Sequence, residues 1–116
     1  MTSSRRDAWL EIDLDAIRHN VGTIRSLLDP GVAVAPVVKA NAYGHGAVAA
    51  AAVLAPVSDA LCVATLDEAL ALRSAGILGR IVLLYPVPAA GITEALAADL
   101  ELTVMSATDL RHLCEL

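Results

Sequence analysis

Short apolar runs recur along this chain every ~20–25 residues, each followed by a stretch with helical spacing, and that rhythm constrains the fold most. The runs are 32–39, 61–64, 80–85 and 102–105. The run at 80–85 is apolar on both faces, as a parallel sheet covered by helices requires. Helices are expected over 47–55, closed by Pro56; from Thr65 to Gly76; over 92–98; and from Ser106 onward, with Leu110 and Leu113 on its apolar side. Thr65-Leu66-Asp67-Glu68 has the form of a capping box, and Gly76 is a natural helix stop. Pro36 interrupts the first run and cannot donate a ladder hydrogen bond, which marks an irregularity or a free edge.

Two elements precede this series. Residues 8–13 alternate, with Leu10 and Ile12 on one side and Trp9, Glu11 and Asp13 on the other, and read as a short strand. Asp13 is placed to cap a helix reaching about Leu28, with Leu14, Ile17, Val21, Ile24 and Leu28 on one face. Asp29-Pro30-Gly31 ends it. The pattern is still helical at Leu116, so a partial domain is expected. Four βα units fit either half of an eightfold barrel or a small open parallel sheet.

Composition narrows the function classes. The chain has 116 residues and a formal net charge of −5, which argues against a nucleic-acid partner. The longest apolar run, 47–57, contains a proline and is shorter than the ~18 residues of a membrane span. Residues 1–7 are polar, lack the apolar core of a signal peptide and are expected to be disordered, leaving 8–116 as the domain. Cys62 and Cys114 lack metal-ligand spacing and are expected to be buried, reduced thiols; no metal site is expected.

The chemistry concentrates at the end of the first run, Val37-Val38-Lys39-Ala40-Asn41-Ala42-Tyr43-Gly44-His45-Gly46. Lys39 stands at the carboxyl end of a strand, where α/β proteins place their reactive groups. A neutral lysine amine attacks an aldehyde to give a Schiff base, and apolar surroundings favour the neutral form. By position alone the commoner reading of Lys39 is a strand-end lysine reaching into water. Gly44 and Gly46 allow a tight turn, and His45 and Asn41 are expected to fasten that loop rather than to catalyse.

This decapeptide closely resembles the pyridoxal-phosphate lysine motif of bacterial alanine racemases, and Leu10-Glu11-Ile12-Asp13 resembles the opening of the same family. The resemblance covers essentially the whole chain but only the first third or so of such an enzyme. It implies an α/β fold, the first half of a (β/α)8 TIM-type barrel, with about four parallel βα units preceded by a short strand and a helix. It implies that Lys39 carries pyridoxal 5'-phosphate and serves as acid and base on one face of the substrate Cα. It implies that the Tyr43 hydroxyl contacts the cofactor phosphate and that Leu84 packs beside the pyridine ring. Tyr85 and Pro86 depart from the small glycine-rich turn often found after that leucine.

By the same resemblance the activity is interconversion of L- and D-alanine, supplying D-alanine for peptidoglycan. The enzyme would be a cytoplasmic homodimer acting on a small amino acid, with the opposite-face acid contributed by the partner subunit's carboxy-terminal domain. That acid and the arginines beside the cofactor are not matched here. Two other readings stay open: a non-catalytic pyridoxal-phosphate-binding barrel protein, and a fragment that folds by association and binds nothing. Such carriers, and barrel-type decarboxylases, share the lysine context without the Ala-Asn-Ala-Tyr-Gly-His-Gly continuation.

Overall fold

Helix α1 (Leu14–Ser26) begins where a capping side chain appears: Asp13 Oδ1 accepts the Ala16 N–H at 2.9 Å. The computed structural model describes residues 7–116, so the expected disordered stretch lies, apart from Asp7, outside the described residues. Beyond α1 come α2 (Lys39–Tyr43), α3 (Ala47–Leu54), β1 (Leu61–Val63), α4 (Leu66–Ser74), β2 (Ile81–Leu83), α5 (Ile92–Ala97) and α6 (Ala107–Cys114). Single 3-10 turns at Ala55–Val57 and Ala89–Gly91 lead out of α3 and into α5.

The capping box holds in both directions, Thr65 accepting from the Glu68 N–H and Glu68 from the Thr65 N–H. Ser106 caps α6 through the Asp109 N–H.

The sheet is parallel. β1 pairs with β2 in the register Leu61 with Ile81, Cys62 with Val82 and Val63 with Leu83. Single bridges extend it on both sides, Val37 to Cys62 and Val82 to Glu101. Four chain segments therefore lie side by side in sequence order, the arrangement of successive βα units in a half barrel.

Two expected strands are thus reduced to one rung each. In the first, the Pro36 carbonyl accepts from Cys62 N and Val38 N donates to Cys62 O, at 2.9 and 2.8 Å. The rung before it would need an N–H at residue 36, which proline lacks. In the fourth, pairing centres on Glu101, one residue before the expected run; Glu101 N donates to Ile81 O and its carbonyl accepts from Leu83 N, both at 2.9 Å.

The expected strand at 8–13 does not form. No described segment lies alongside to complete a ladder, and its side chains stay in water, Trp9 at 74% and Leu10 at 86% exposed. A single extended segment without a partner has no hydrogen bonds to offset its ordering entropy.

The core lies between the sheet and its helices. Leu61, Val63, Ile81 and Leu83 are buried on one sheet face against Ala50, Ala51, Leu54, Ala69, Leu72 and Ala95. Small helix residues let α3 and α4 approach closely, as the alanine-rich composition implies. Cys62 is buried and its thiol is pushed up by desolvation, with Glu101 adding to the shift. Cys114 is exposed, contrary to expectation: at the last residue of α6 it lies outside the core.

Side chains without an apolar role join the elements. Asp59 accepts from the Val34 N–H at 2.7 Å and from Arg25 at 3.0 Å, tying α1 to the first strand. Arg73 donates to the carbonyls of Ile77, Gly79, Ala98 and Asp99, closing the loops after α4 and α5.

Candidate functional site

Val38 sets the geometry of the site. Its side chain is 2% exposed, on the helix-covered face of the sheet. Alternation along the strand then turns Val37 to the opposite, open face, which also carries the Cys62 and Val82 side chains, and at Val38 (φ −118°, ψ 19°) the chain leaves the strand, so that Lys39 stands at its carboxyl end. Leu84, two residues beyond Val82, shares that face and is half-buried. Its N–H donates to Val63 O at 2.8 Å, which carries the ladder past the end of β2.

Immediately after Lys39 the backbone inverts. Ala40, Asn41, Ala42 and Tyr43 have φ of 50°, 55°, 53° and 56°, so α2 is a left-handed turn. For L-residues such backbone costs about 1–2 kcal/mol each and persists only where neighbours hold it. Ala42 N donates to Val38 O at 2.9 Å, and Ala42 is itself buried. The Asn41 carbonyl accepts from the Gly44 and Gly46 N–H groups, and its side chain accepts from Ala47 N at 2.8 Å, at the start of α3. His45 Nδ1 lies 2.8 Å from the Ala42 carbonyl and donates to it. Asn41 and His45 therefore fasten the loop, as expected. Gly44 then leaves the turn at φ 93°, a conformation that glycine adopts without strain.

Lys39 is half-buried, and it is the only lysine in the chain. Its Nζ lies 5.9 Å from the centre of the Tyr85 ring, within reach of a cation–π attraction. Tyr85 borders an open cleft of about 490 Å³, together with Ala64, Thr65, Asp67, Pro86 and Val87. Tyr43 lies elsewhere: it is 62% exposed and lines a hollow of about 410 Å³ with Ile17, Asn20, Val37 and His45 on the α1 side. The structure thus brings Lys39 to Tyr85, the residue after Leu84, while Tyr43 opens toward α1.

Glu68 is the residue that sequence reasoning used only in part. One carboxylate oxygen accepts from Ala40 N at 3.1 Å; the other accepts from Ala64 N at 2.7 Å and Thr65 N at 3.4 Å. Desolvation pushes this carboxyl up, but the Ala64, Ala40 and Thr65 N–H groups and the charge of Lys39 outweigh it and hold it below the ordinary range. The capping-box pattern announced Glu68 as a helix-start residue; its second oxygen, and the uniqueness of Lys39 among the side chains, were the further signals available. Among the described residues, no group of His, Cys, Asp and Glu is placed to hold a metal, and no helix is long and apolar enough to cross a membrane.

The chain's one lysine thus stands at the carboxyl end of the first of several parallel βα units, which lie side by side as in the opening segment of a barrel. Residues 12–116 match the family described as alanine racemase, N-terminal domain, and the chain belongs to that family.

An alanine racemase of Desulfovibrio desulfuricans is 44% identical over 107 residues, covering 91% of this chain and 29% of that protein. Among solved structures, alanine racemase of Clostridium difficile 630 superposes with a TM-score of 0.88 at 33% identity, covering 97% of this chain and 32% of that one. The alanine racemase of Bacillus anthracis gives 0.86 at 40% identity, with 98% and 30% covered. The fold is accordingly the first part of the α/β barrel of these proteins, and the chain spans about a third or less of their length.

Proposed function

We propose that the protein containing this segment interconverts L- and D-alanine, with pyridoxal 5'-phosphate carried on Lys39. The observation that carries the reading is the placement of Lys39: the only amine-bearing side chain of this segment, at a strand end, followed at once by a left-handed turn. Cofactor and site fit each other on this structure. An aldehyde needs one accessible amine, and a flat ring needs an apolar surface beside it; Lys39 is a half-buried amine whose Nζ lies 5.9 Å from the ring of Tyr85, which follows half-buried Leu84 and borders an open cleft.

When bound, the cofactor supplies an aldehyde for lysine and an electron sink for the negative charge left by Cα deprotonation. Lys39 anchors it and moves the proton at one face of Cα. On the motif resemblance Leu84 would lie beside the ring and exclude water there. Tyr43 is assigned to the phosphate on the motif resemblance alone; in this structure it is exposed and opens toward α1. No residue of this chain is assigned to the opposite face of Cα.

Alanine as substrate, a homodimeric enzyme and a cytoplasmic location complete the proposal. Alanine as substrate draws support from the ligands named for relatives, cycloserine for the Clostridium difficile protein and L-Ala-P for that of Bacillus anthracis.

The test is formation of D-alanine from L-alanine by the full-length protein, followed with a D-amino-acid-specific oxidase. Lys39→Ala is expected to lower turnover by at least ~10³-fold, since it removes both anchor and base. Undiminished turnover in that variant overturns the assignment. Cofactor held on Lys39 with no D-alanine formed replaces the racemase by the carrier reading.

A further inference from the structure

We propose that Glu68 is a positioning residue for Lys39: its carboxylate clamps the start of the left-handed turn to the end of the neighbouring strand. This rests on the reading of Lys39 as the cofactor anchor.

The Ala40 N–H belongs to the peptide group that begins at the Lys39 carbonyl. Holding it fixes the Lys39 ψ and the Ala40 φ together, and with them the direction in which the lysine side chain leaves the backbone. Ala40 sits at φ 50°, the first of the four inverted residues. Its N–H opens the turn, where a helix-like segment has no internal acceptor to offer. The acceptor comes from 28 residues away, as Glu68 Oε1 at 3.1 Å.

The other oxygen is anchored independently. Glu68 Oε2 accepts from Ala64 N at 2.7 Å, at the end of β1. The carboxylate thus spans two adjacent strand ends, and the capping box fixes its own backbone at the third residue of α4. Length and charge are both needed. Aspartate is one methylene shorter and does not reach both strands from this position. Glutamine keeps the length but carries one acceptor oxygen, and its amide N–H groups would face a backbone N–H at the other. Asp67, next in sequence, lines the Tyr85 cleft instead.

The experiment uses the full-length protein that contains this segment. Amide hydrogen exchange over 39–46 is measured by mass spectrometry. Alongside it, the rate of pyridoxal-phosphate attachment at Lys39 is read by borohydride reduction and peptide mapping. Wild type is compared with Glu68→Gln, Glu68→Asp and Thr65→Ala. Both Glu68 variants are expected to raise exchange over 39–46, and to slow attachment at Lys39, by about tenfold, the effect of one charge-assisted hydrogen bond. Thr65→Ala removes the helix cap without touching the Ala40 bond. It is expected to lower the melting temperature while leaving both readouts within about twofold of wild type.

Unchanged exchange over 39–46 in both Glu68 variants overturns the clamp. So does Thr65→Ala reproducing their effects in full. If exchange rises as expected but wild type forms no adduct at Lys39, the clamp stands and the cofactor reading fails.

Discussion

Ala40, Asn41, Ala42 and Tyr43 hold a backbone that none of them favours. The strain is met by hydrogen bonds from Val38, Glu68 and His45, so the turn is an outcome of tertiary contacts. Ala40 is exposed and points its methyl at no core group. Ala40→Gly is therefore expected to raise stability by about 0.5–1 kcal/mol, the relieved strain exceeding the added unfolded-state entropy. Equilibrium denaturation checks this, and a loss of stability contradicts it.

The strand-end position of Lys39 and the loop fasteners Asn41 and His45 were legible in the sequence. The inversion was not, because alanine carries no signal for left-handed backbone and is the best former of the opposite hand. Glu68 was legible only as a cap, since nothing in the sequence places its carboxylate across a 28-residue gap.

Helices were the most legible elements, because their starts are written in side chains: Asp13, Thr65 and Ser106 each cap as the sequence implies. Strands were less so. Apolar runs locate them, but pairing decides how much becomes ladder, and Pro36 removes one rung. The links between elements escaped sequence analysis because an arginine or aspartate off the apolar stripe looks solvent-facing. Arg73 satisfies four carbonyls at 2.7–2.9 Å. Arg73→Ala is expected to cost about 2–3 kcal/mol in denaturant unfolding, with a smaller loss for Arg73→Lys, whose ammonium lacks the planar fork.

Asp59 adds a pH dependence. The Val34 N–H, then Arg25, hold its carboxyl below the ordinary range. A lowered native pKa gives stability that is present above the unfolded value of ~3.9 and lost as pH falls through the native one. Asp59→Asn is thus expected to lower the melting temperature at pH 7, with the gap to wild type closing in acid. A gap that stays constant to pH 3 contradicts this.

At the scale of the molecule, four parallel segments in sequence order form an open, curved slab. Its Cα radius of gyration is 16.8 Å, against ~13 Å for a compact domain of this length. The exposed N-terminal arm and the unclosed sheet account for the difference. Both outer segments pair on one side only, and Val37, Val104 and Met105 on them are exposed. Unpaired apolar edges associate. The isolated chain is expected to show a concentration-dependent mass above 12.0 kDa in light scattering. A mass fixed at that of a monomer across the range contradicts this.

The central claim is that Lys39 is a cofactor anchor, and one measurement addresses it most directly. The 116-residue segment is incubated with pyridoxal phosphate, reduced with borohydride, weighed intact and mapped by peptide. Because Lys39 is the only lysine, a lysine adduct has one possible address. The account predicts one pyridoxyl group, on the peptide containing Lys39, and its absence from Lys39→Ala. An adduct confined to the amino terminus, or one that survives in Lys39→Ala, contradicts it.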